Sequence, residues 1–412
     1  MELDAGARAI LSGATGTAGD RMALEIVTGA ARMLGAPRLV EIASAHIDGC
    51  LYHGASGTLF CEKLAAEGAR VSVPATTNVG ALNLLKPDQC RLSPEDRPMA
   101  YRLMVAHERM GCRPSWTCAP YQVGARPAKG EQIAWGESNA VAFANSVLGA
   151  RTNRYGDFLD IACAIAGRAP YYGLHVPENR RARLVLDATG LPDAAWRDAA
   201  VFSVLGALVG RLVGDTVCAI DGVPPGATDD DLKALCAAAA ATGAVALIHV
   251  VGTTPEAPDL ATALGDDAPE DRIAITPEML RGARAGLSLA PDGPIDSVAL
   301  GSPHFSVVEC RTLLRLAEGT PFRVPVHLCL GRHALDALAA DGTDRALESL
   351  GVTFVADTCV VVTPILPDAP GVLMTNSAKF AHYAPGNTGH LPVFGTLAEC
   401  VASAQAGHVV RA

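Results

Sequence analysis

Residues 298–340 read VALGSPHFSVVECRTLLRLAEGTPFRVPVHLCLGRHALDALAA, and this stretch decides the fold class of the chain. The run Val298–Ser306 predicts a buried strand, and apolar residues at helical spacing predict a helix over Val307–Ala317. The pair then repeats as a strand over Pro325–Leu330 and a helix over Arg332–Ala340. Alternating strands and helices predict α/β units with parallel sheets, in which ligands bind near the carboxyl ends of the strands.

The same alternation extends through the rest of the chain. Further predicted helices are Arg21–Leu34, Cys61–Glu67, Pro98–Met110, Ala140–Leu148, Trp196–Val213 and Leu232–Ala241. Further predicted strands are Arg38–Ala45, Ala69–Pro74 and Val245–Val251. A charged, turn-rich stretch at residues 176–190 and a new strand near Ile295 mark boundaries. We therefore predict three α/β domains, at residues 1–175, 176–294 and 295–412.

Composition excludes several classes of protein. Half of the 412 residues are hydrophobic, 18% are charged and the formal net charge is -10. Nucleic-acid binding needs clustered Lys and Arg, so a nucleic acid is not expected as a partner. The apolar runs are too short or too broken for a membrane-spanning helix. The acidic start MELDAGARAIL lacks a signal core, so we expect a cytoplasmic protein without a membrane partner.

The 12 cysteines are expected to be reduced thiols in such a protein. No CxxC occurs, which excludes a zinc ribbon or a thioredoxin-like motif. A metal site would have to be assembled from cysteines that are distant in sequence. Five cysteines in Ala- or Val-rich surroundings are predicted to be core residues: Cys163, Cys218, Cys236, Cys329 and Cys400.

The segment Thr375–Gly389, TNSAKFAHYAPGNTG, is rich in amide, hydroxyl and cationic groups and has almost no aliphatic bulk. Shortly before it, Asp357–Cys359 (DTC) opens the apolar run VVVTPIL, which predicts a buried strand with a cysteine at its mouth. A thiol beside a polar loop indicates a site for an anionic ligand, with or without a metal. The alternative is an ordinary polar loop after a strand.

Further polar clusters follow predicted strands. They are HIDGCLYHGASG (His46–Gly57), PSWTCAPYQVG (Pro114–Gly124), GESNAVAFANSVLGARTNRYGD (Gly136–Asp157) and GSPHFS (Gly301–Ser306). Buried polar groups must find partners, so several such clusters together favour a binding site over chance.

Together with TTNVGA, DTC and TNSAKFAHYAPG, these motifs resemble the catalytic large unit of aconitase X, from about Leu11 to Val401. The resemblance implies an aconitase-like arrangement of α/β units, with mostly parallel sheets around a central cleft. It also implies a lyase with an iron or iron–sulfur centre. The family includes bacterial cis-3-hydroxy-L-proline dehydratases and archaeal phosphomevalonate dehydratases.

The family's metal positions match Cys118, Ser302 and Cys359, but many relatives have Cys in a GCPH motif where Ser302 stands here. A neutral hydroxyl is a poorer iron ligand than a thiolate. Ser302 could ligate as an alkoxide, Cys50 or Cys310 could substitute for it, or the centre could differ from the four-iron type. We expect a [2Fe-2S] cluster or mononuclear iron in preference to a [4Fe-4S] cluster.

Dehydration removes a proton beside a carboxylate and expels hydroxide, which an iron Lewis acid would assist. The predicted catalytic residues are Lys379, His53 and His304. The predicted substrate-binding residues, which offer amide and hydroxyl groups, are Gly54, Ala55, Ser56, Thr77, Asn78, Ser138, Asn139, Asn145, Ser146, Asn376 and Ser377.

The superfamily's catalytic base is a serine on a small swivelling domain, and too little chain follows Val401 to form one. The resemblance therefore implies a heteromer with a small swivel-domain subunit that carries this serine. The Ala-, Arg- and Gly-rich composition is typical of bacterial high-GC sequences, and for a bacterial member the resemblance implies cis-3-hydroxy-L-proline, converted to pyrroline-2-carboxylate, as the substrate. The alternatives are (R)-5-phosphomevalonate dehydration and a non-catalytic regulatory protein that binds iron or a ligand.

Overall fold

Short parallel strands joined by helices make up most of this protein. The computed structural model describes residues 1–265, 267–367 and 369–411. These residues form two units: unit 1 consists of Met1–Leu82, Leu92–Arg181 and Thr254–Glu256, and unit 2 consists of Asn83–Arg91, Ala182–Thr253 and the described part of Ala257–Ala412.

Unit 1 is built around a small parallel sheet. The strands of unit 1 are β1 (Leu39–Glu41), β2 (Ala45–Ile47), β3 (Ala75–Thr77), β4 (Ala134–Trp135) and β5 (Arg168–Pro170). The sheet has the order β3-β2-β4, and β1 pairs with β5 in antiparallel fashion. The helices are α1 (Ala5–Leu11), α2 (Ala18–Met33), α3 (Ala55–Ala66), α4 (Asp96–Arg109), α5 (Ser138–Phe143) and α6 (Leu159–Ala166), and α5 continues as a π-helical turn over Ala144–Leu148.

Helix α2 shows how the local sequence fixes these elements. Thr17 and Asp20 form a capping box, in which each side chain accepts a hydrogen bond from the other residue's backbone N–H. Such a cap stabilises a helix by about 1 kcal/mol. Leu24 and Val27, one helical turn apart, are buried in the apolar cluster of unit 1. The cap therefore starts the helix, and its apolar face packs into that cluster.

Unit 2 contains two parallel sheets. The first has the order β8-β7-β6-β9, and the second has the order β12-β11-β10-β13-β14. Their strands are β6 (Leu184–Asp187), β7 (Cys218–Asp221), β8 (Ile248–Val250), β9 (Asp271–Ala274), β10 (Ser297–Phe305), β11 (Val326–Leu330), β12 (Val352–Val355), β13 (Val372–Thr375) and β14 (Leu391–Phe394). The predicted α/β class with parallel sheets is confirmed.

In the chain, the helices of unit 2 lie between these strands, except for the last helix, which follows β14. They are α7 (Asp193–Trp196), α8 (Val201–Val213), α9 (Asp229–Thr242), α10 (Leu260–Leu264), α11 (Pro277–Ala285), α12 (Val307–Ala317), α13 (Arg332–Asp341), α14 (Thr343–Ser349), α15 (Ala378–Thr388) and α16 (Leu397–Ala406). The single helix predicted over Trp196–Val213 is thus split between α7 and α8.

The five-stranded sheet packs one face on an apolar cluster. Val326, Leu328 and Leu330 of β11 all belong to that cluster. Because side chains alternate between the two faces of a strand, His327 and Cys329 project from the opposite face. The sheet therefore has an apolar face and a second face that carries polar and thiol groups.

The predicted strand over Ala69–Pro74 was wrong. Val71 and Ser72 donate their N–H groups to the carbonyls of Met110 and Ala164, outside any strand ladder. The strand β3 begins only at the residue after Pro74. Pro74 has no N–H to donate, which suits the boundary between an irregular segment and a strand.

Among the described residues, no helix combines the length and the apolarity needed to span a bilayer.

Candidate functional site

The predicted site residues are divided between the two units. Unit 2 contains Ser302, His304, Cys359, Asn376, Ser377 and Lys379. Unit 1 contains Cys118, His53, Gly54, Ala55, Ser56, Thr77, Asn78, Ser138, Asn139, Asn145 and Ser146. Each set is described within its own unit.

In unit 2, the GSPH motif forms a bulge in β10. Leu300 pairs with Leu328 of β11 and Phe305 pairs with Leu330, so Gly301–His304 stand opposite the single residue Cys329. Bulges of this kind redirect side chains and are common beside active sites. The bulge therefore places Ser302 and His304 next to the carboxyl end of β11.

Gly301 is required for this bulge. Its φ is +85°, in the left-handed region that side-chain-bearing residues avoid. A Cβ at this position would lie 2.0 Å from the carbonyl oxygen of Cys329, which is too close for a carbon and an oxygen atom that are not bonded to each other. The close approach of the two strands thus depends on the absence of a side chain at residue 301.

The DTC motif lies after strand β12. Asp357 has a positive φ of 64°, which is uncommon for a residue with a side chain. Arg332 donates two hydrogen bonds to its carboxylate, at 2.6 and 2.7 Å, and the backbone N–H of Leu84 donates a third at 3.1 Å. These contacts hold the backbone in a strained conformation immediately before Thr358 and Cys359.

The chain after Cys359 turns instead of extending, so the predicted strand over VVVTPIL was wrong. The N–H groups of Val362 and Thr363 both donate to the carbonyl of Cys359 at 3.1 Å. The hydroxyls of Thr358 and Thr363 share a hydrogen bond of 2.6 Å. These local bonds satisfy the backbone without a strand ladder, although Val360 and Val361 remain buried. Cys359 therefore lies in a loop at the carboxyl end of β12.

Hydrogen bonding with the side chain of Cys329, with the backbone of Val361 and with the side chain of Ser302 lowers the pKa of the Cys359 thiol. The hydrogen bond from Cys329 is the largest cause of a lowered pKa for Cys359. Burial acts in the opposite direction, and the ammonium of Lys379 lowers the pKa further. This environment favours the thiolate, which is the form that binds metals. We call Cys329, Cys359 and Ser302 the thiol cluster.

Most of the segment Thr375–Gly389 forms helix α15 (Ala378–Thr388), so the prediction of a polar loop was wrong. The hydroxyl of Ser377 accepts a hydrogen bond from the N–H of Phe380 at 3.0 Å and so caps the helix. The same hydroxyl donates to the backbone carbonyl of Ser302. The cap thus ties the start of α15 to the bulge of β10. Lys379 follows in the first turn.

His304 is buried, and its Nε2 donates to the carbonyl of Thr358 at 3.2 Å. Burial is the main cause that lowers the pKa of His304 to about 4. The imidazole is therefore neutral near pH 7 and joins the bulge to the DTC loop. Its role as a proton donor stays a prediction.

Lys233 of α9 contacts the bulge of β10 and forms an ion-pair cluster with Asp230 and Glu309, which we call the Lys233 ion-pair cluster. Its ammonium pairs with Asp230 at 2.8 Å and with Glu309, and it donates to the carbonyl of His304 at 3.4 Å. The hydroxyl of Ser306 donates to Asp230 as well, at 2.7 Å. The side chain of Lys233 is only 3% exposed. Although burial lowers its pKa, the two carboxylates raise it to a larger extent, so the ammonium stays charged.

In unit 1, the parallel strands β3, β2 and β4 end at one edge, and polar residues follow each strand. Asp48 follows β2, Asn78 follows β3, and Ser138 and Asn139 begin α5 shortly after β4. The amide of Asn78 donates to the carboxylate of Asp48. The amide of Asn139 donates to the carbonyl of Cys118 at 3.3 Å. This edge therefore brings together residues that are far apart in the sequence.

Three predicted substrate-binding residues have side-chain oxygens that bind no other described residue. The buried amide oxygens of Asn78, Asn139 and Asn376 are without a hydrogen-bond partner within residues 1–265, 267–367 and 369–411. A buried polar atom without a partner is costly, and a ligand is one explanation for it. These oxygens are suited to accept hydrogen bonds from a substrate.

Other predicted binding residues are engaged by the protein itself. The hydroxyl of Thr77 accepts from the N–H groups of Ser115 and Trp116, which fixes the segment that leads to Cys118. The amide of Asn145 donates to the carbonyl of Thr152 and accepts from Arg180, at 2.9 and 3.0 Å. The structure thus supplies a structural role for both.

The remaining predicted residues differ in exposure. His53 is exposed and precedes Gly54, which has a φ of 122° and begins α3. Ala55 and Ser56 form the exposed first turn of that helix. Ser146 is buried in the π-helical turn.

The sequence prediction missed the contact of Cys329 and the role of Asp160. Cys329 was predicted as a core residue, and it is buried, but its thiol also takes part in the hydrogen bonding that lowers the pKa of Cys359. Its position at the end of β11, on the face opposite the aliphatic residues, was the signal in the sequence. Asp160 is buried and accepts hydrogen bonds from the N–H groups of Asp48 and Gly49. Burial is the main cause that raises its pKa to about 7.

The thiols of the thiol cluster are donors of the kind that iron centres use. Iron–sulfur centres are held chiefly by cysteine thiolates, and two thiols and a hydroxyl meet here. Across the described ranges, no group of three or more His, Cys, Asp or Glu side chains is placed to hold a metal ion. A third donor of another type, or from beyond the cluster, would therefore complete a site. Cys310 packs in the apolar cluster of unit 2 and Cys50 donates to backbone carbonyls in unit 1, so neither joins the thiol cluster.

Known proteins resemble this chain over nearly its whole length. It is 44% identical over 98% of its residues to a cis-3-hydroxy-L-proline dehydratase of Pseudomonas aeruginosa, of which the match covers 70%. It is 40% identical over 97% to the enzyme of that name from Hypocrea jecorina, of which 68% is covered. A phosphomevalonate dehydratase large subunit of Methanothermobacter thermautotrophicus is 36% identical, with 90% of each chain covered.

The crystal structure of Thermococcus kodakaraensis aconitase X in its holo-form matches with a TM-score of 0.87 and 32% identity, covering 98% of this chain and 100% of that one. Sequence models of the aconitase X first, second and third domains match residues 1–178, 182–285 and 295–406. The chain therefore belongs to the aconitase X family.

Proposed function

We propose that this protein is a hydro-lyase that removes water from cis-3-hydroxy-L-proline to give pyrroline-2-carboxylate. The observation that carries the proposal is the identity of 44% and 40% to two dehydratases with this substrate in their names. Relatives named phosphomevalonate dehydratase large subunit are 32–36% identical. The identity therefore favours hydroxyproline over phosphomevalonate.

The reaction removes a proton from the carbon beside the carboxylate and expels hydroxide from the neighbouring carbon. An iron centre would supply a Lewis acid for the hydroxide, which is a poor leaving group. We propose that Cys118 and Cys359 hold this centre, with Ser302 as the third position of the family's set. The [2Fe-2S] cluster and mononuclear iron remain our preferred forms, because a hydroxyl stands where relatives have a third thiolate.

The charge that develops during the reaction needs fixed donors. When the proton leaves, negative charge builds up on the substrate carboxylate as an enediolate, which a positioned cation stabilises. Lys379 is the proposed cation, because its charge already acts on Cys359 and His304 in unit 2. The capped start of helix α15 adds backbone N–H groups beside it.

The unpartnered amide oxygens fit the amine of the proposed substrate. Cis-3-hydroxy-L-proline has a secondary ammonium group with two N–H donors, and it needs acceptors. Asn78 and Asn139 of unit 1 offer two such acceptors. Phosphomevalonate has no nitrogen and has a phosphate that requires several cations, so these oxygens favour hydroxyproline as the substrate.

We further propose that a small swivel-domain subunit supplies the catalytic serine as the base. The large subunits of the phosphomevalonate dehydratases are covered by the match over 90–95% of their own length. Their names as large subunits imply small-subunit partners for those proteins. We also keep the three domains at residues 1–175, 176–294 and 295–412 as a proposal, supported by the three matched ranges.

The test is an assay of anaerobically purified, iron-loaded protein together with its small subunit. We expect turnover of cis-3-hydroxy-L-proline and little or none of (R)-5-phosphomevalonate. Lys379→Met should lower kcat about 10²–10³-fold if its charge stabilises the transition state. Lys63→Met is the matched control, because Lys63 is 57% exposed and pairs with Glu67 on the surface of α3.

Turnover of phosphomevalonate alone would refute the substrate. Tight binding of hydroxyproline without turnover, in the presence of the small subunit, would support the non-catalytic binding protein. Equal loss of activity in the Lys379 and Lys63 variants would refute the role of Lys379.

A further inference from the structure

We propose that Asp48 is the counter-ion that binds the secondary ammonium group of the substrate, together with the amide oxygen of Asn78. The inference rests on the proposed dehydration of cis-3-hydroxy-L-proline and deepens it, because it names the residues that recognise the charged nitrogen. Both residues belong to unit 1 and follow neighbouring parallel strands, Asp48 after β2 and Asn78 after β3. Ligands commonly bind at this edge of a parallel sheet.

The first argument is that the chain around Asp48 is held by the segments that follow both neighbouring strands. After β3, the N–H of Asn78 donates to the carbonyl of Ile47 at 2.8 Å. After β4, the N–H of Gly136 donates to the carbonyl of His46 at 3.0 Å. A Cβ at residue 136 would lie 2.7 Å from the Cβ of Asp48, so this residue must be glycine for β4 to end this close. The position of Asp48 is therefore fixed before any ligand binds.

The second argument concerns Asp160, a carboxylate that fixes the backbone of the same loop. Its Oδ2 accepts hydrogen bonds from the N–H groups of Asp48 at 2.7 Å and Gly49 at 2.9 Å, and its Oδ1 accepts from that of Ile161 at 2.6 Å. Asp160 has no exposed surface, whereas Asp48 is half-buried. The oxygens of Asp160 are thus used within the protein, and Asp48 is the carboxylate that a ligand can reach.

The third argument is the pair of acceptors that Asp48 and Asn78 form. The amide nitrogen of Asn78 donates to the carboxylate of Asp48, which fixes the orientation of the amide. The oxygen of the same amide is buried and has no hydrogen-bond partner in the described part of the chain, and Asn78 is only 3% exposed. A carboxylate and an amide oxygen therefore lie side by side. A secondary ammonium group has one positive charge and two N–H donors, so it matches this pair in charge and in hydrogen bonding.

The fourth argument is the sign of the charge at this edge. Burial is the main cause that raises the pKa of Asp160 to about 7 and the pKa of Cys50 well above its ordinary value, and the negative charge of Asp48 raises both further. Such a negative potential favours a cation as the ligand. Ca²⁺ would require six to eight oxygen ligands. No group of three or more His, Cys, Asp or Glu side chains is placed to hold a metal ion among the described residues, so an organic cation fits better.

The test measures ligand binding to the iron-loaded protein and its small subunit by isothermal titration calorimetry. The probes are L-proline, which has the ammonium group but no hydroxyl to eliminate, and tetrahydrofuran-2-carboxylate, which has an oxygen in place of the ring nitrogen. The kinetics of cis-3-hydroxy-L-proline are measured in parallel.

Two variants and one control are compared, and circular dichroism checks that each folds. Asp48→Asn removes the charge but keeps the shape and can still accept from Asn78. Asn78→Leu removes the amide oxygen and leaves Asp48 in place. Asp157→Asn is the matched control, because Asp157 is an exposed carboxylate whose backbone lies beside Gly49 of the same loop.

Hydrogen bonds to charged groups are strong enough that Asp48→Asn should weaken the binding of L-proline, and raise KM for cis-3-hydroxy-L-proline, about 10–100-fold. Its affinity for tetrahydrofuran-2-carboxylate should stay the same or rise, because the ring oxygen no longer faces a carboxylate. Asn78→Leu should weaken the binding of L-proline about 2–10-fold, and Asp157→Asn should behave like the wild type.

Two results would overturn this inference alone. One is a folded Asp48→Asn protein that binds L-proline like the wild type, and the other is an equal loss of L-proline binding in Asp157→Asn. A wild-type complex that neither binds L-proline nor turns over cis-3-hydroxy-L-proline would overturn the proposed function as well.

Discussion

The buried ammonium of Lys233 allows a prediction that is independent of the metal. Lys233→Met replaces the ammonium with an apolar group of similar length. Asp230 and Glu309 then face each other without their cation, and the carbonyl of His304 loses a donor. Removing one partner of a buried ion pair costs about 3–5 kcal/mol. The opening of helices α9 and α12 should become easier by this amount.

Amide hydrogen exchange reports such local opening. A change of 3–5 kcal/mol corresponds to exchange that is faster by about two to three and a half orders of magnitude. We expect this acceleration in peptides from the first turns of α9 and α12. It should shrink as the pH falls, because the unpaired carboxylates then take up protons in the folded protein, which lowers their repulsion.

Lys86→Met is the control, since Lys86 pairs with Glu348 in the same unit but is 51% exposed. An exposed pair contributes about 0–1 kcal/mol. If Lys233→Met accelerated exchange no more than Lys86→Met, the Lys233 ion-pair cluster would not hold the bulge, and the reasoning would be refuted.

Three further predictions follow from single contacts. Gly301→Ala should destabilise unit 2 by about 2–5 kcal/mol, measured by thermal unfolding, because it adds left-handed strain and a clash with Cys329. Gly282→Ala, in an open position of α11, should be stabilising instead. Ser377→Ala should cost about 1 kcal/mol through loss of the cap of α15, measured by urea unfolding. In Asp160→Asn, the wild-type decrease in stability between about pH 4 and pH 7 should disappear, as thermal unfolding over this range would show.

The direction in which Asp160 makes the free energy of unfolding change with pH follows from its pKa. The folded pKa of about 7 lies above the ordinary value of 3.8, so the folded protein holds the extra proton between these values. The free energy of unfolding therefore falls as the pH rises through this window. A stability profile of Asp160→Asn that matches the wild type would contradict the assignment. Equal stability of Gly301→Ala and Gly282→Ala would contradict the bulge argument.

Elements defined by local pattern were predictable from the sequence. The helix predicted over Val307–Ala317 has the observed bounds, and its capping box of Ser306 and Glu309 is visible in the sequence. The strand over Pro325–Leu330 was placed to within one residue. Both elements rest on apolar periodicity and caps, which are properties of the local chain.

Elements that depend on distant contacts were not predictable in the same way. The run after Cys359 is as apolar as a strand, but it turns because Val362 and Thr363 bind the carbonyl of Cys359. The polar composition after Thr375 favoured a loop over the helix that Ser377 caps. Burial of Cys329 was predictable from its surroundings, whereas its contact with Cys359 depends on how β10, β11 and β12 align.

In β10, the residues of the bulge are separate from the residues that pair with β11 and pack in the core. Gly301–His304 lie outside the regular pairing of β10 with β11, while Val298 and Leu300 on the preceding part of the strand fill the core. A side chain at position 302 can therefore be exchanged without changing the ladder or the packing beneath it. Single substitutions can therefore change the chemistry at this edge of the sheet while the strands and their packing stay the same.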